Sequence, residues 1–231
     1  MKRLYTAVAT RPVERGWGVT LDGRPLRTPA RREAVLPSEV LAAAIAAEWE
    51  AQQTDIRPPT MPLFRLAATA LDRTAVQRDL IIRDTANYAG TDLVCYRAGH
   101  PPELVARQHE AWQPLIDWAS LRYDAPLEVT AGVVPITQAP STLRAFAAAV
   151  GAHRPLELAA LHLATAACGS LVVALALIEG RLDAEGAFNA SQLDETFEIE
   201  QWGEDAEQMR RRAALKEDMV LAERFIALLR S

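Results

Sequence analysis

At 231 residues, 50% of them hydrophobic and 24% charged, the chain is long enough for two modest domains and is neither disordered nor fibrous in composition. Its formal net charge of -5 argues against nucleic acid as the principal ligand, because phosphate binding wants a basic surface. The two cysteines, Cys95 and Cys168, are far apart and lack CxxC spacing, which excludes a zinc ribbon or a disulfide framework and leaves two buried free thiols in a reducing compartment.

No apolar run of signal-peptide length precedes Glu14 and Arg15. From Tyr5 to Leu36 short apolar alternations read as strands, and Asp22-Gly23 marks a type I′ turn, so Trp17 to Thr28 is expected to be an antiparallel hairpin. Arg24, Arg27, Arg31 and Arg32 read as guards of a sheet edge rather than as an anion site. Ser38 caps an amphipathic helix over the sheet in which Val40, Leu41, Ala44, Ile45, Glu48 and Trp49 continue at helical spacing to Gln53. Three prolines in DIRPPTMPLFRLA make a rigid connector, after which Thr60 is expected to cap a helix from Leu63 to about Arg73. A further helix over Leu80 to Tyr88 ends at Gly90, and DLVCYR is a strand or a packed linker.

Pro101-Pro102 opens a helix expected to bury Leu104, His109, Trp112, Leu115, Ile116 and Trp118. Leu127 to Ile136 alternates like a strand, and the rest is helical, with caps expected at Ser141, Ser170, Asp183 and Asp205. The uncharged run from Leu158 to Ile178 is long enough to cross a bilayer, but its alanines, His162 and the Gly169-Ser170 joint favour two buried helices. On the last helix Met209, Ala213, Lys216, Val220 and Phe225 approximate a core stripe. The fold class is therefore α+β: a strand-rich mixed N-terminal domain over residues 1–80, then a mostly α-helical C-terminal domain over 81–231.

Motifs for chemistry are missing. The chain has neither a P-loop nor a dinucleotide fingerprint, its four histidines stand apart from one another, and Ser170 lacks a nucleophile elbow. The informative stretch is Gln192 to Glu207, QLDETFEIEQWGEDAE, where seven carboxylates surround a Trp-Gly pair. At helical spacing Leu193 and Phe197 share one side, and Glu195, Glu198 and Trp202 another. Such a run is either a solvated helix face or an acid-framed aromatic recognition surface.

Several blocks together resemble a known family. These are GVTLDGRPLRTPAR, LAAAIAAEWEAQ, IRPPTMPLFRLAATALDR, TDLVCYRAGHPPELVARQHEAWQPLIDWA, GSLVVALALIEG and LDETFEIEQWGEDAE, spread over residues 14 to 229. In order and spacing they are similar to the ATP-twelve assembly chaperones, which hold the free alpha subunit of the F-type ATP synthase before it pairs with beta. The resemblance implies a chaperone with no catalytic residues, no cofactor and no metal, whose partner is the alpha subunit. It also implies a bacterial, cytoplasmic relative working as a monomer, without membrane insertion or nucleic acid. It places functional weight on Glu204, Asp205 and Glu207, and the partner surface is expected to comprise Glu195, Phe197, Glu198, Trp202, Glu204, Asp205 and Glu207, with Phe197 and Trp202 as anchors. Trp49 also matches a family position and reads as core packing. Two other readings stay open: a helical interaction module with another client, and an enzyme using the acids of 194–207.

Overall fold

Hairpin chemistry sets the start of the fold. In the computed structural model, which describes residues 2–132 and 135–231, β1 (Val8–Val13) and β2 (Gly16–Leu21) pair antiparallel, Val8 opposite Leu21 and Val13 opposite Gly16. Asp22 and Gly23 then both take positive φ, 49° and 77°, and return the chain into β3 (Arg24–Pro25). The expected hairpin is present with a short return arm, β3 ending at Pro25, although Leu26 N still donates to Val19 O at 2.8 Å. β4 (Val35–Leu36) takes the remainder of that edge, with Trp17 opposite Leu36.

α1 (Glu39–Glu50) covers β1 and β2 with Leu41, Ala42, Ile45 and Trp49 buried. Its cap is Ser38, whose Oγ accepts from Leu41 N at 3.3 Å and donates to Leu228 O at 2.6 Å. α2 (Pro62–Thr69) runs on through a π-helical stretch, Ala70–Thr74. Thr60 does not cap it. With Pro62 as the first helical residue the cap position is Met61, so the Thr60 hydroxyl lies one residue too early and donates to Arg57 O at 2.9 Å instead. The orphan amides of Leu63 and Phe64 are taken by the Glu48 carboxylate of α1, each at 2.8 Å. Burial pushes that carboxyl up, against the two amides that hold it charged.

The chain groups into two compact units, Met1–Arg78 with Pro155–Ala160 and Arg224–Ser231, and Asp79–Arg154 with Leu161–Glu223. Beyond α2 come α3 (Arg78–Ala86), two short 3₁₀ turns, and β5 (Tyr96–Arg97), so DLVCYR is mostly a turn. α4 (Pro102–Tyr123) continues through Pro114. It buries Trp112, Leu115 and Ile116, but His109, which sits seven residues before Ile116 at the margin of that stripe, is exposed. β6 (Thr130–Ala131) pairs parallel with β5; Val133 and Val134 of the expected strand lie outside the described residues. α5 (Pro140–Gly151) starts one residue before Ser141, with Pro140 first and Ala139 at the cap position, so Ser141 is not the cap.

α6 (Pro155–Cys168) and α7 (Leu171–Ile178) meet at Gly169, φ 65°, and Ser170 caps α7 by accepting from Val173 N at 3.0 Å. Every residue of α7 is buried, which fits a helix apolar all round. Among the described residues no helix is long and apolar enough to cross a membrane. α8 (Ala184–Ser191), α9 (Leu193–Trp202) and α10 (Ala206–Arg230) complete the chain. The expected stripe on α10 is out of register: Met209 and Val220 are exposed, whereas Arg212, Met219, Ala222, Ile226 and Leu229 join Phe225 inside. Met219, Ala222, Ile226 and Leu229 follow steps of three, four and three residues, and Arg212 lies seven residues before Met219 on the same face. The architecture is α+β, as expected.

Candidate functional site

The acidic stretch does not share a helix with Asp183. Asp183 caps α8, its Oδ1 accepting from Gly186 N at 2.7 Å, but the chain breaks at Gln192 and the acids begin on α9. Arg212 of α10 holds that break. It is 7% exposed, and its guanidinium reaches Gln192 Oε1 at 3.3 Å, Thr196 Oγ1 at 2.8 Å and Glu195 Oε2 at 3.3 Å, over the ring of Phe188. Arg211 also pairs with Glu195. Burial works to raise the Glu195 carboxyl, but hydrogen bonds from Gln208, Arg211 and Arg212, with the Arg211 charge, outweigh it and hold the group below its ordinary value. Arg212→Ala is expected to cost about 2 kcal/mol in thermal unfolding, because half-buried acceptors lose a charged donor. Arg212→Lys should restore only part of it, since an ammonium cannot fork between the three. An unchanged midpoint would contradict this role.

Four of the seven acids thus have internal work. Besides Glu195, Asp194 accepts from Gln108 Nε2 at 2.6 Å, with burial raising its carboxyl against that bond. Glu200 pairs with Arg107 at 2.7 Å. Asp205 caps α10 as expected, its Oδ1 accepting from Glu207 N and Gln208 N at 3.0 Å each. Phe197 is not an anchor: it is 7% exposed, packed where α9 meets α4, with the Arg107 guanidinium over its ring. Glu195 likewise is a structural partner rather than a free rim residue.

What faces solvent is a smaller set. Glu198, Glu204 and Glu207 are exposed and have no cation partner among the described residues. Trp202 is 79% exposed, far more than a large aromatic ring ordinarily is. Gly203 explains its position: φ 89° and ψ 175° is a conformation essentially confined to glycine, and it ends α9 immediately after the ring. The second turn of α10 carries cations too, Arg210 bonded to Ala206 O at 3.1 Å and Arg211 committed to Glu195, so the acidic field is local to the three free carboxylates.

Among the described residues no three of His, Cys, Asp and Glu are grouped as metal ligands. The thiols of Cys95 and Cys168 are both free and pushed up to about 12, chiefly by burial. His162 spends Nδ1 on Thr85 Oγ1 at 2.9 Å. A family model described as ATP12 chaperone protein matches residues 2–120, about half of the chain.

The chain belongs to the ATP12 chaperone family.

Atp12 from Paracoccus denitrificans is 44% identical, with a TM-score of 0.95 over 99% of this chain and 98% of that one. An aspartate-to-lysine mutant of the P. denitrificans protein, 43% identical, also has a TM-score of 0.95, over 99% of this chain and 97% of that one. The mitochondrial protein atp12 of Schizosaccharomyces pombe is 24% identical over 205 residues, 83% of this chain and 70% of its own. ATP12 membership bears out the resemblance drawn from the sequence blocks and makes this protein a chaperone of ATP synthase assembly. Sequence reasoning singled out Trp202 and the free acids but missed Arg212. Its signal was its place on the buried stripe of α10.

Proposed function

We propose that this ATP12-family chaperone binds the free alpha subunit of the ATP synthase through Trp202 and the carboxylates of Glu198, Glu204 and Glu207, and that binding alone is its activity. The observation that carries the reading is the exposed Trp202 ring near three exposed carboxylates in sequence that have no cation partner among the described residues. A subunit awaiting its partner exposes apolar surface that is an aggregation hazard. One aromatic anchor supplies burial against that surface, and an acidic rim steers and selects a basic partner while adding little net affinity. Release to beta follows by competition for the same face. In this reading the chaperone works as a monomer in the cytoplasm.

Asp205 is kept out of the test because it caps α10. Reversing Glu198, Glu204 and Glu207 to Lys is expected to leave the thermal midpoint nearly unchanged, each exposed charge contributing roughly 0 to 1 kcal/mol. Association with isolated alpha subunit should slow about tenfold at low salt. The defect should shrink once salt screens the surface over a Debye length of about 8 Å. Association rates equal to wild type at low salt would return these acids to a solvated helix face.

A further inference from the structure

We propose that the first unit carries a separate docking site, an arginine-rimmed apolar trough that takes an extended acidic segment of a partner protein. Two cavities, of about 650 and 570 Å³, both lined by Arg27, Trp49 and Ile56, form it. Met61, Phe64 and Ala68 contribute apolar surface to the first, and Leu4, which is 89% exposed, to the second. The apolar lining asks for side chains to bury.

The charges on the lining state what kind. Arg27, Arg65 and Arg73 border the first cavity, and Lys2, Arg24 and again Arg27 the second, against only two acids, Asp72 and Asp22. Both acids are already committed. Asp72 accepts from Thr28 Oγ1 at 2.7 Å and Ala30 N at 2.9 Å. Asp22 accepts from Ala7 N at 2.8 Å and from Thr6 N and Oγ1 at 3.0 Å. Among the described residues Arg65 and Arg73 have no carboxylate partner, and Arg27 donates to a backbone carbonyl, Arg31 O, at 2.7 Å. In a chain of net charge -5 this is a concentration of unspent cations around apolar surface. Guanidinium groups in that state favour carboxylates, which they bind in paired geometry.

Trp49 adds an observation from the junction. It is 6% exposed, packed between Tyr5 and Phe64 with centroids 5.8 and 5.1 Å away, and its indole N–H has no acceptor among the described residues. Buried donors without a partner are uncommon. The same packing disfavours nucleic acid, because it leaves no open Trp49 face for a base to stack on.

The test uses the full chain and labelled synthetic heptapeptides alternating Asp with Leu, Lys with Leu, or Asp with Gly, read by fluorescence anisotropy beside a labelled oligo(dT). The Asp-Leu peptide is expected to bind at least about tenfold tighter than each of the other probes, since it alone satisfies both rim and lining. Arg65→Glu with Arg73→Glu should keep the thermal midpoint and move the preference to the Lys-Leu peptide; Arg27→Glu tests the junction independently. Binding indifferent to peptide charge, a preference for oligo(dT), or a preference unmoved by these variants would overturn the proposal. So would concentration-dependent self-association abolished by the same variants, which would assign the trough to a second copy. Because no alpha subunit enters the assay, the outcome is independent of the role proposed for Trp202.

Discussion

Asp92→Ala is expected to lower stability by about 4 kcal/mol, near the upper end for a single substitution. Asp92 is fully buried at the start of α7, accepting from Ser170 Oγ at 2.5 Å, Val172 N at 3.0 Å and Val94 N at 3.3 Å. Alanine leaves those donors without an acceptor in the interior, each costing about 1 to 3 kcal/mol, offset by removal of a buried charge. At about 2 to 4 °C per kcal/mol for a chain of this size, the thermal midpoint should fall by roughly 10 °C. A pH signature separates this from generic damage. Burial raises the Asp92 carboxyl to about 6 against the opposing bonds. A group with a raised folded pKa contributes stability that is fully present below its unfolded value, about 3.9, and lost as pH rises through the folded one. Wild type should therefore lose stability relative to Asp92→Asn, on the order of 2 kcal/mol, as pH goes from 4 to 7. A pH-independent difference between the two would contradict the buried-carboxylate account.

How far the residues announce this fold depends on whether the controlling interaction is local. Asp22-Gly23, Ser38, Ser170, Asp183 and Asp205 do what turn and cap chemistry expects, because a cap is decided within about three residues. Thr60 fails as a cap because a carboxylate distant in sequence, Glu48, takes the amides of α2. Asp92 reads as an ordinary polar flank of DLVCYR until Ser170, 78 positions later, comes to it. The acidic stretch shows the same division. Its exposed residues are legible as an acid-framed aromatic, but Glu195, Phe197 and Glu200 are spent on Arg212, α4 and Arg107, partners that periodicity within one helix cannot reveal. The cations around Trp49 come from strand, loop and helix segments and converge only in three dimensions.

Trp202→Ala should have the largest effect on client binding. An aromatic anchor at the centre of an interface commonly contributes 2 kcal/mol or more, so the dissociation constant for isolated alpha subunit is expected to rise about thirtyfold. Folding should be nearly unaffected: a ring that is 79% exposed has little packing to lose, and Gly203 ends α9 whatever side chain precedes it. Unlike the charge reversals, the defect should be the same at low and high salt, because it removes apolar contact rather than screened charge. A fall in midpoint with unchanged affinity would make Trp202 structural instead.

In the proposed function this ATP12-family chain holds the free alpha subunit through the Trp202 corner. Analytical ultracentrifugation of purified alpha subunit with the wild-type chaperone, then with Trp202→Ala, then after addition of beta, tests it most directly. The expected result is a complex with alpha that the Trp202→Ala chain fails to form and that beta dissolves. Separate sedimentation of wild-type chaperone and alpha, or a complex that forms equally well without the Trp202 ring, would contradict it.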